Sequence, residues 1–250
     1  MSLDRRLFSL SLLGAAAMPG AVRARVAQSP ATLVELFTSQ GCSSCPPADA
    51  LMQELATQDG IIPLSYPVEI WDYIGWKDTL AKPMFTRRQR AYAAMLAGKR
   101  VYTPQAVING RAHCIGSDRA TIKTLQRNTA PESQGCSFEV SPQEDGWSAR
   151  LAVSNVPSGT RLWLLPFIAQ QQVAIGRGEN TGRILTYTNV VRDILGLGIV
   201  DAGEKAITIR RSDLAAQGAD GFALLLQSGS LEAPGAVLGV ACAGPSGIKL

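Results

Sequence analysis

The chain has 250 residues, 46% of them hydrophobic and 6% aromatic, which suffices for one large domain or two small ones, each with a core of its own. Its 24 Lys and Arg against 20 Asp and Glu leave a formal charge of +4 with no basic tract, a field too weak to suggest electrostatic nucleic-acid binding. No apolar run reaches the ~20 residues that spanning a bilayer needs.

At the N-terminus, Arg5-Arg6 precede an apolar stretch from Leu7 to Met18, and small residues then lead to Val22-Arg23-Ala24. This is the pattern of an export signal over residues 1–24, with the mature chain beginning near Arg25. The apolar run, about a dozen residues, is short for a membrane anchor. Arg5-Arg6-Leu7-Phe8 fits the twin-arginine class, although a general secretory signal with two arginines looks much the same. Cleavage would lower the charge to about +2 and leave a periplasmic or secreted protein without stable membrane insertion. Disulfides persist in such a compartment.

Residues Ala31 to Phe37 read as a first strand, followed directly by Cys42-Ser43-Ser44-Cys45-Pro46. Ala48, Leu51, Met52 and Leu55 then recur at the three-and-four spacing of one helical face. Pro46 suits the first turn, where a missing N–H costs little. Cys42 therefore falls at or just before a helix N-terminus, where free N–H groups and the macrodipole favour a thiolate. Cys45, one turn inward, is sheltered yet close enough to resolve a mixed disulfide formed on Cys42. Ser43 and Ser44 add hydroxyls but no positive charge, so moderate activation is expected. Thiol–disulfide exchange needs no diffusible cofactor and no metal. Two other readings of the motif stay open: a structural disulfide, and half of a zinc site, for which Cys114, Cys136 and His113 are the remaining nearby ligands.

Ile61 to Tyr66 form a second apolar run and complete a strand–helix–strand unit, although Pro63 and Pro67 weaken the strand assignment. The segment from Trp71 to Asp78 combines aromatic faces, two carboxylates and a lysine; it reads either as a substrate groove lined by Trp71 and Trp76 or as a packed loop over the core. A second helix begins near Pro83, buries Phe85, Tyr92, Met95 and Leu96, and ends at Gly98; Arg87, Arg88 and Arg90 read as its solvated face. Asn109-Gly110 is a strong turn signal between two short strands, and Asp118 caps a third helix carrying Ile122 and Leu125. Glu35, near the end of the first strand, is a candidate proton acceptor for Cys45, because burial would raise its pKa toward the range of a general base. A strand carboxylate satisfied by backbone or a basic side chain is the alternative.

The cysteine pair opening the first helix, Thr103-Pro104 entering the third strand and the Asn-Gly hairpin after it resemble the thioredoxin fold over about 100 residues. That resemblance implies a cis Pro104 opposite the cysteines, with Thr103 offering backbone groups to a bound chain. An X-Pro bond pays only about 0.5–1 kcal/mol for the cis form. The longer string from Val34 to Asp49, together with Trp71 to Asp78, Arg88 to Tyr92, Tyr102 to Gln105 and Arg177 to Asn180, is similar to the DUF1223 family of exported thioredoxin-like proteins. Partners implied are exported protein thiols or disulfides and a redox recycling partner.

From Cys136 onward the pattern changes to short strands: Trp147 to Val153, Arg161 to Ile168, Thr186 to Arg192, Lys205 to Ile209, Gly221 to Gln227 and Ala236 to Ala241. Their spacing predicts a mainly antiparallel, sandwich-like domain. The fold class is thus an α/β thioredoxin-like domain over 25–130 and a β-rich domain over 131–250, linked through Ala130 to Gly135. Cys136 and Cys242 are candidates for a disulfide clamp in the second half, with Cys114 left free. The glycine-rich stretch from Gly176 to Arg183 lacks the lysine-serine or lysine-threonine ending of a phosphate loop and reads as a hairpin loop. Because Arg177 to Asn180 resembles a block of the DUF1223 family, the resemblance implies that this loop leans on the first half and shapes the groove. The functional expectation is an exported thiol–disulfide oxidoreductase. A non-catalytic binding or assembly module with a permanently closed cysteine pair is the runner-up, and copper or zinc handling through the same sulfurs a third reading.

Overall fold

A computed structural model describes residues 25–26, 31–130 and 135–250. The export-signal segment 1–24 and most of the expected linker lie outside the described residues.

Strand β1 (Arg25–Val26) is short, and β2 (Thr32–Thr38) is buried along nearly its whole length. Helix α1 (Pro46–Ala56) and β3 (Ile61–Pro67) follow, with β3 parallel to β2 from Thr32↔Ile61 to Thr38↔Pro67. Pro63 and Pro67 stand two residues either side of Ser65, so their missing N–H groups fall on one edge of the strand. The strand survives because β2 holds one edge, while pairing with a later strand contracts to the single bridge Ser65↔Val190.

A 3-10 turn (Asp72–Ile74) leads to α2 (Pro83–Leu96). Its buried positions Phe85, Arg88, Gln89 and Tyr92 follow the spacing of one helical face. Arg87 and Arg90 are exposed as expected, but Arg88 is 1% exposed and belongs to the interior. Strands β4 (Gln105–Ile108) and β5 (Ala112–Ile115) form a hairpin through Asn109 and Gly110, both at positive φ, as a two-residue turn of this kind requires. Asp118 caps α3 (Arg119–Asn128) by accepting from the Thr121 N–H.

The second half contains β6 (Cys136–Gln143), β7 (Gly146–Val153), β8 (Arg161–Ala174), β9 (Ile184–Val191), β10 (Leu195–Ile199), β11 (Gly203–Arg210), α4 (Arg211–Ala216), β12 (Gly221–Gly229), β13 (Pro234–Gly244) and β14 (Gly247–Lys249). One sheet has the order β1-β6-β7-β11. The other runs β14-β13-β12-β8-β9-β3-β2-β4-β5, with β10 beside β8, and so passes through both halves of the chain. Phe138, Val140, Trp147 and Leu151 of the small sheet share a core with Leu162, Phe222, Leu224 and Ala241 of the large one.

The change of pattern near residue 135 is therefore no break in the interior. Leu33, Phe37, Phe85 and Tyr92 pack in one cluster with Trp163, Leu165, Phe167 and Leu225. A polar tie crosses the same boundary. Arg88 donates to both Glu35 carboxylate oxygens at 2.7 and 3.1 Å, and to Gln227 Oε1 at 3.0 Å. Tyr92 Oη donates to Glu35 at 2.6 Å and accepts from Gln227 Nε2 at 2.8 Å.

The expected Cys136–Cys242 clamp is not formed. Both are free thiols, as is Cys114, and Cys136 Sγ instead donates to the Leu238 carbonyl at 3.1 Å. Burial pushes the Cys242 thiol up to about 12 and the Cys114 thiol up to about 11, which makes both poor nucleophiles.

Candidate active site

The buried strand β2 delivers the turn Ser39-Gln40-Gly41 and then the cysteine pair to the start of α1. Cys42 and Cys45 form a disulfide with a Cα–Cα distance of 5.4 Å. Cys42 is 4% exposed and Cys45 is fully buried, so the first sulfur is the one nearer to solvent. The turn is closed by the Cys42 N–H to the Ser39 carbonyl and the Cys45 N–H to the Cys42 carbonyl. Pro46 opens the helix, and the Ser44 hydroxyl lies 3.4 Å from Cys42 Sγ.

The Thr103–Pro104 bond is cis. The Pro104 carbonyl accepts the Gly116 N–H at 2.9 Å, and a side chain at Gly116 would press on both Pro104 and Ala48, so the proline loop sits beside the first turn of α1. Trp71 joins the two loops. Its Cβ stands against Gly41, where an added Cβ would lie 3.0 Å away, and its Nε1 donates to Thr103 Oγ1 at 2.7 Å. Tyr73, 77% exposed, lies against Trp71 with ring centroids 6.1 Å apart.

Trp76 has a different place from Trp71. Its Nε1 donates to Gln40 Oε1 at 2.9 Å, its ring faces Gly176 and its Cβ faces Gly178 of the β8–β9 hairpin tip. Asp78 fixes the same turn by accepting from the Gln40, Leu80 and Ala81 N–H groups. Burial pushes Asp78 up to about 6; the three donors oppose this and Asp72 adds repulsion.

The structure thus brings Cys42, Cys45, Thr103, Pro104, Trp71 and Trp76 around one end of the sheet, but it does not bring Glu35 to the sulfurs. Glu35 points to the sheet face covered by α2, toward Arg88 and Tyr92, whereas α1 covers the opposite face with Val34 and Leu36. The satisfied strand carboxylate is the arrangement observed.

Asp49 is the buried acidic group on the dithiol's own helix, which also carries the exposed Glu54. It follows Cys45 by one helical turn, its N–H bonds the Cys45 carbonyl at 3.1 Å, and its side chain is buried with neither oxygen hydrogen-bonded. Burial raises its pKa to about 8; the nearby Thr38 hydroxyl pulls the other way and Asp78 repulsion adds to the rise. A detectable signal was present in the sequence, since an acid between Ala48 and Met52 lies inside the apolar arc of the helix. Asn180 and Glu179, which contact the dithiol loop from the second half, lie in the hairpin expected to lean on the first half, but nothing in the local sequence singled out these two side chains as the ones that make the contact. Among the described residues no group of three or more His, Cys, Asp and Glu side chains is placed to hold a metal ion.

The model of a family described as a protein of unknown function, DUF1223, matches residues 33–227. A protein from Agrobacterium tumefaciens of known crystal structure is similar at 30% identity and a TM-score of 0.71, over 86% of this chain and 95% of that one. HBP35 of Porphyromonas gingivalis shares the fold at 11% identity and a TM-score of 0.59, over 88% of this chain and 76% of its own. A search of curated proteins found no match.

Proposed function

The chain belongs to the DUF1223 family, whose function is unknown, and from that premise we propose that it is an exported thioredoxin-like thiol–disulfide oxidoreductase acting on protein disulfides through Cys42 and Cys45. The observation that carries the reading is a Cys42–Cys45 disulfide at a helix N-terminus, beside a cis Thr103–Pro104 bond. The strand order β3-β2-β4-β5, with β2 and β3 parallel and the rest antiparallel, supports a thioredoxin-like unit over 25–130. The packing of β6 and β7 against β8, β12 and β13 supports a sandwich-like unit over 131–250. Export rests on the Arg5-Arg6 and apolar pattern of residues 1–24.

In the reducing direction the Cys42 thiolate attacks one sulfur of a partner disulfide. A Cys42–partner disulfide forms and the partner's second sulfur leaves as a thiolate, which takes up a proton. Cys45 then loses its proton and attacks Cys42 Sγ, closing the Cys42–Cys45 bond and releasing the partner as a dithiol. Two electrons pass from this protein to the partner, and a recycling dithiol of the same compartment returns them by the reverse exchange. Thr103 and Pro104 align the partner chain, and Trp71 with Tyr73 offers it an aromatic shelf.

Asp49 is suited to the proton step. Burial holds its proton well above the usual carboxylate range, and it lies one helical turn from Cys45, where a carboxylate can take up the proton that Cys45 loses on attack. Glu35 in this reading is structural, the partner of Arg88.

Trapping in the exporting cell tests the function. A Cys45→Ala variant is expected to accumulate mixed disulfides through Cys42, and a Cys42→Ala variant to form none. Absence of adducts in the Cys45→Ala variant would leave a closed bridge on a binding module as the better account.

A further inference from the structure

The β8–β9 hairpin carries a tip from the second half onto the dithiol loop. Asn180, 1% exposed, donates through Nδ2 to the carbonyls of Gln40 and Cys42, both at 2.9 Å. Arg183 Nη1 donates to Asn180 Oδ1 at 3.1 Å and so fixes which way the amide faces. Gly176 and Gly178 rest on Trp76, where an added Cβ would come within 3.1 and 3.3 Å of the side chain. The tip is therefore docked by buried contacts that do not involve Glu179.

Held in this way, Glu179 presents its carboxylate to the backbone N–H of Ser43 at 3.2 Å. Ser43 directly follows Cys42, two residues ahead of the Cys45 N-cap of α1, and its backbone N–H is a positive partial charge next to the sulfur that favours a thiolate. The carboxylate occupies that donor and adds a negative charge beside the attacking sulfur. Other charges in the region are otherwise engaged or solvated: Asp78 serves three backbone donors, Asp72 accepts from the Asp78 N–H, Arg183 is on Asn180, and Arg177 and Lys77 are exposed. Asp49 is buried one helical turn beyond Cys45.

We infer that Glu179 is an electrostatic brake on Cys42, held in place by Asn180, and that the second half thereby sets the reactivity of the dithiol in the first. A disfavoured thiolate weakens the reduced form relative to the disulfide, which makes the pair a stronger reductant. That consequence rests on the redox reading above; the effect of the charge on the sulfur does not.

The test uses the chemically reduced full-length mature protein, with alkylation of Cys42 by iodoacetamide followed by peptide mass spectrometry across pH. At low ionic strength, one pH unit below the wild-type midpoint, Glu179→Gln is expected to react roughly threefold faster, because the charge is removed while an acceptor for Ser43 remains. Glu179→Ala, which also frees the N–H, should react at least as fast as Glu179→Gln. The gain of Glu179→Gln should largely vanish at about 1 M salt, where screening reaches ~3 Å. Glu232→Gln, on the distant β12–β13 turn, should match wild type. Equal rates in Glu179→Gln and wild type, a gain that survives high salt, or the same gain in Glu232→Gln would each overturn the inference. None of these outcomes depends on whether mixed disulfides are trapped, so the two claims fail separately.

Discussion

Asp49→Asn is expected to stabilise the oxidised protein by several kcal/mol at pH 8 and to slow the closure of a Cys42 mixed disulfide. The folded-state pKa of about 8 lies above the ordinary value of 3.8, so the folded chain binds this proton more tightly than the unfolded chain does. Stability from that proton is complete below about pH 4, declines as the unfolded chain ionises, and is fully lost above about pH 8. Each pKa unit is worth about 1.4 kcal/mol, and the unsatisfied amide of the variant returns part of the gain, so about 2–4 kcal/mol is the net expectation at pH 8. Urea denaturation across pH 4 to 8 with the disulfide intact checks it. The advantage of the variant should grow with pH and be absent or reversed at pH 4, where only the cost of the amide remains; a difference constant with pH would show that Asp49 does not carry the burial penalty. The kinetic counterpart is that a preformed Cys42 adduct resolves more slowly in the variant, because Cys45 has lost the neighbouring group that takes its proton.

Arg88→Ala should cost about 3–5 kcal/mol, since it leaves Glu35 in the core without a partner. The same change strips a donor from Gln227 and weakens the tie between the halves. The double variant Glu35→Leu with Arg88→Met should recover most of that loss, because removing both members of a buried pair is often near neutral. Thermal or urea unfolding of the three proteins is sufficient. A double variant as unstable as Arg88→Ala would mean that packing around the arginine, rather than the stranded acid, governs the cost. The comparison also separates architecture from chemistry: a structural Glu35 changes stability without changing how fast a Cys42 adduct resolves.

Much of this arrangement was legible in the residues. The cysteine spacing, the apolar face of α1, the Asn109-Gly110 turn and the Asp118 cap are local signals, and each matches an element the structure contains. Strand ends shifted where a ladder extends beyond its apolar run; β8 continues to Ala174 through polar glutamines because β9 pairs with it along that stretch. The short strand β10 and helix α4 were missed, as Leu195 to Ile199 is glycine-interrupted and Arg211 to Ala216 is barely more than one turn. The site was less legible than the fold because its parts meet across long distances in sequence. Arg88 stands in a basic run that reads as a solvated face, and only the apposition of α2 to β2 and β12 makes it interior. Asn180 reaches the Cys42 carbonyl across 138 residues. Glu35 occupies a plausible place along β2, but strand alternation directs it to the face away from α1.

The most direct measurement is the equilibrium redox titration of the Cys42–Cys45 couple in the mature protein, read by thiol labelling against defined dithiol buffers. A catalytic couple should open with a midpoint between about −120 and −270 mV, the span of known dithiol enzymes. A midpoint below about −300 mV, or no opening at all, would contradict the account and leave the cysteine pair as a structural bridge.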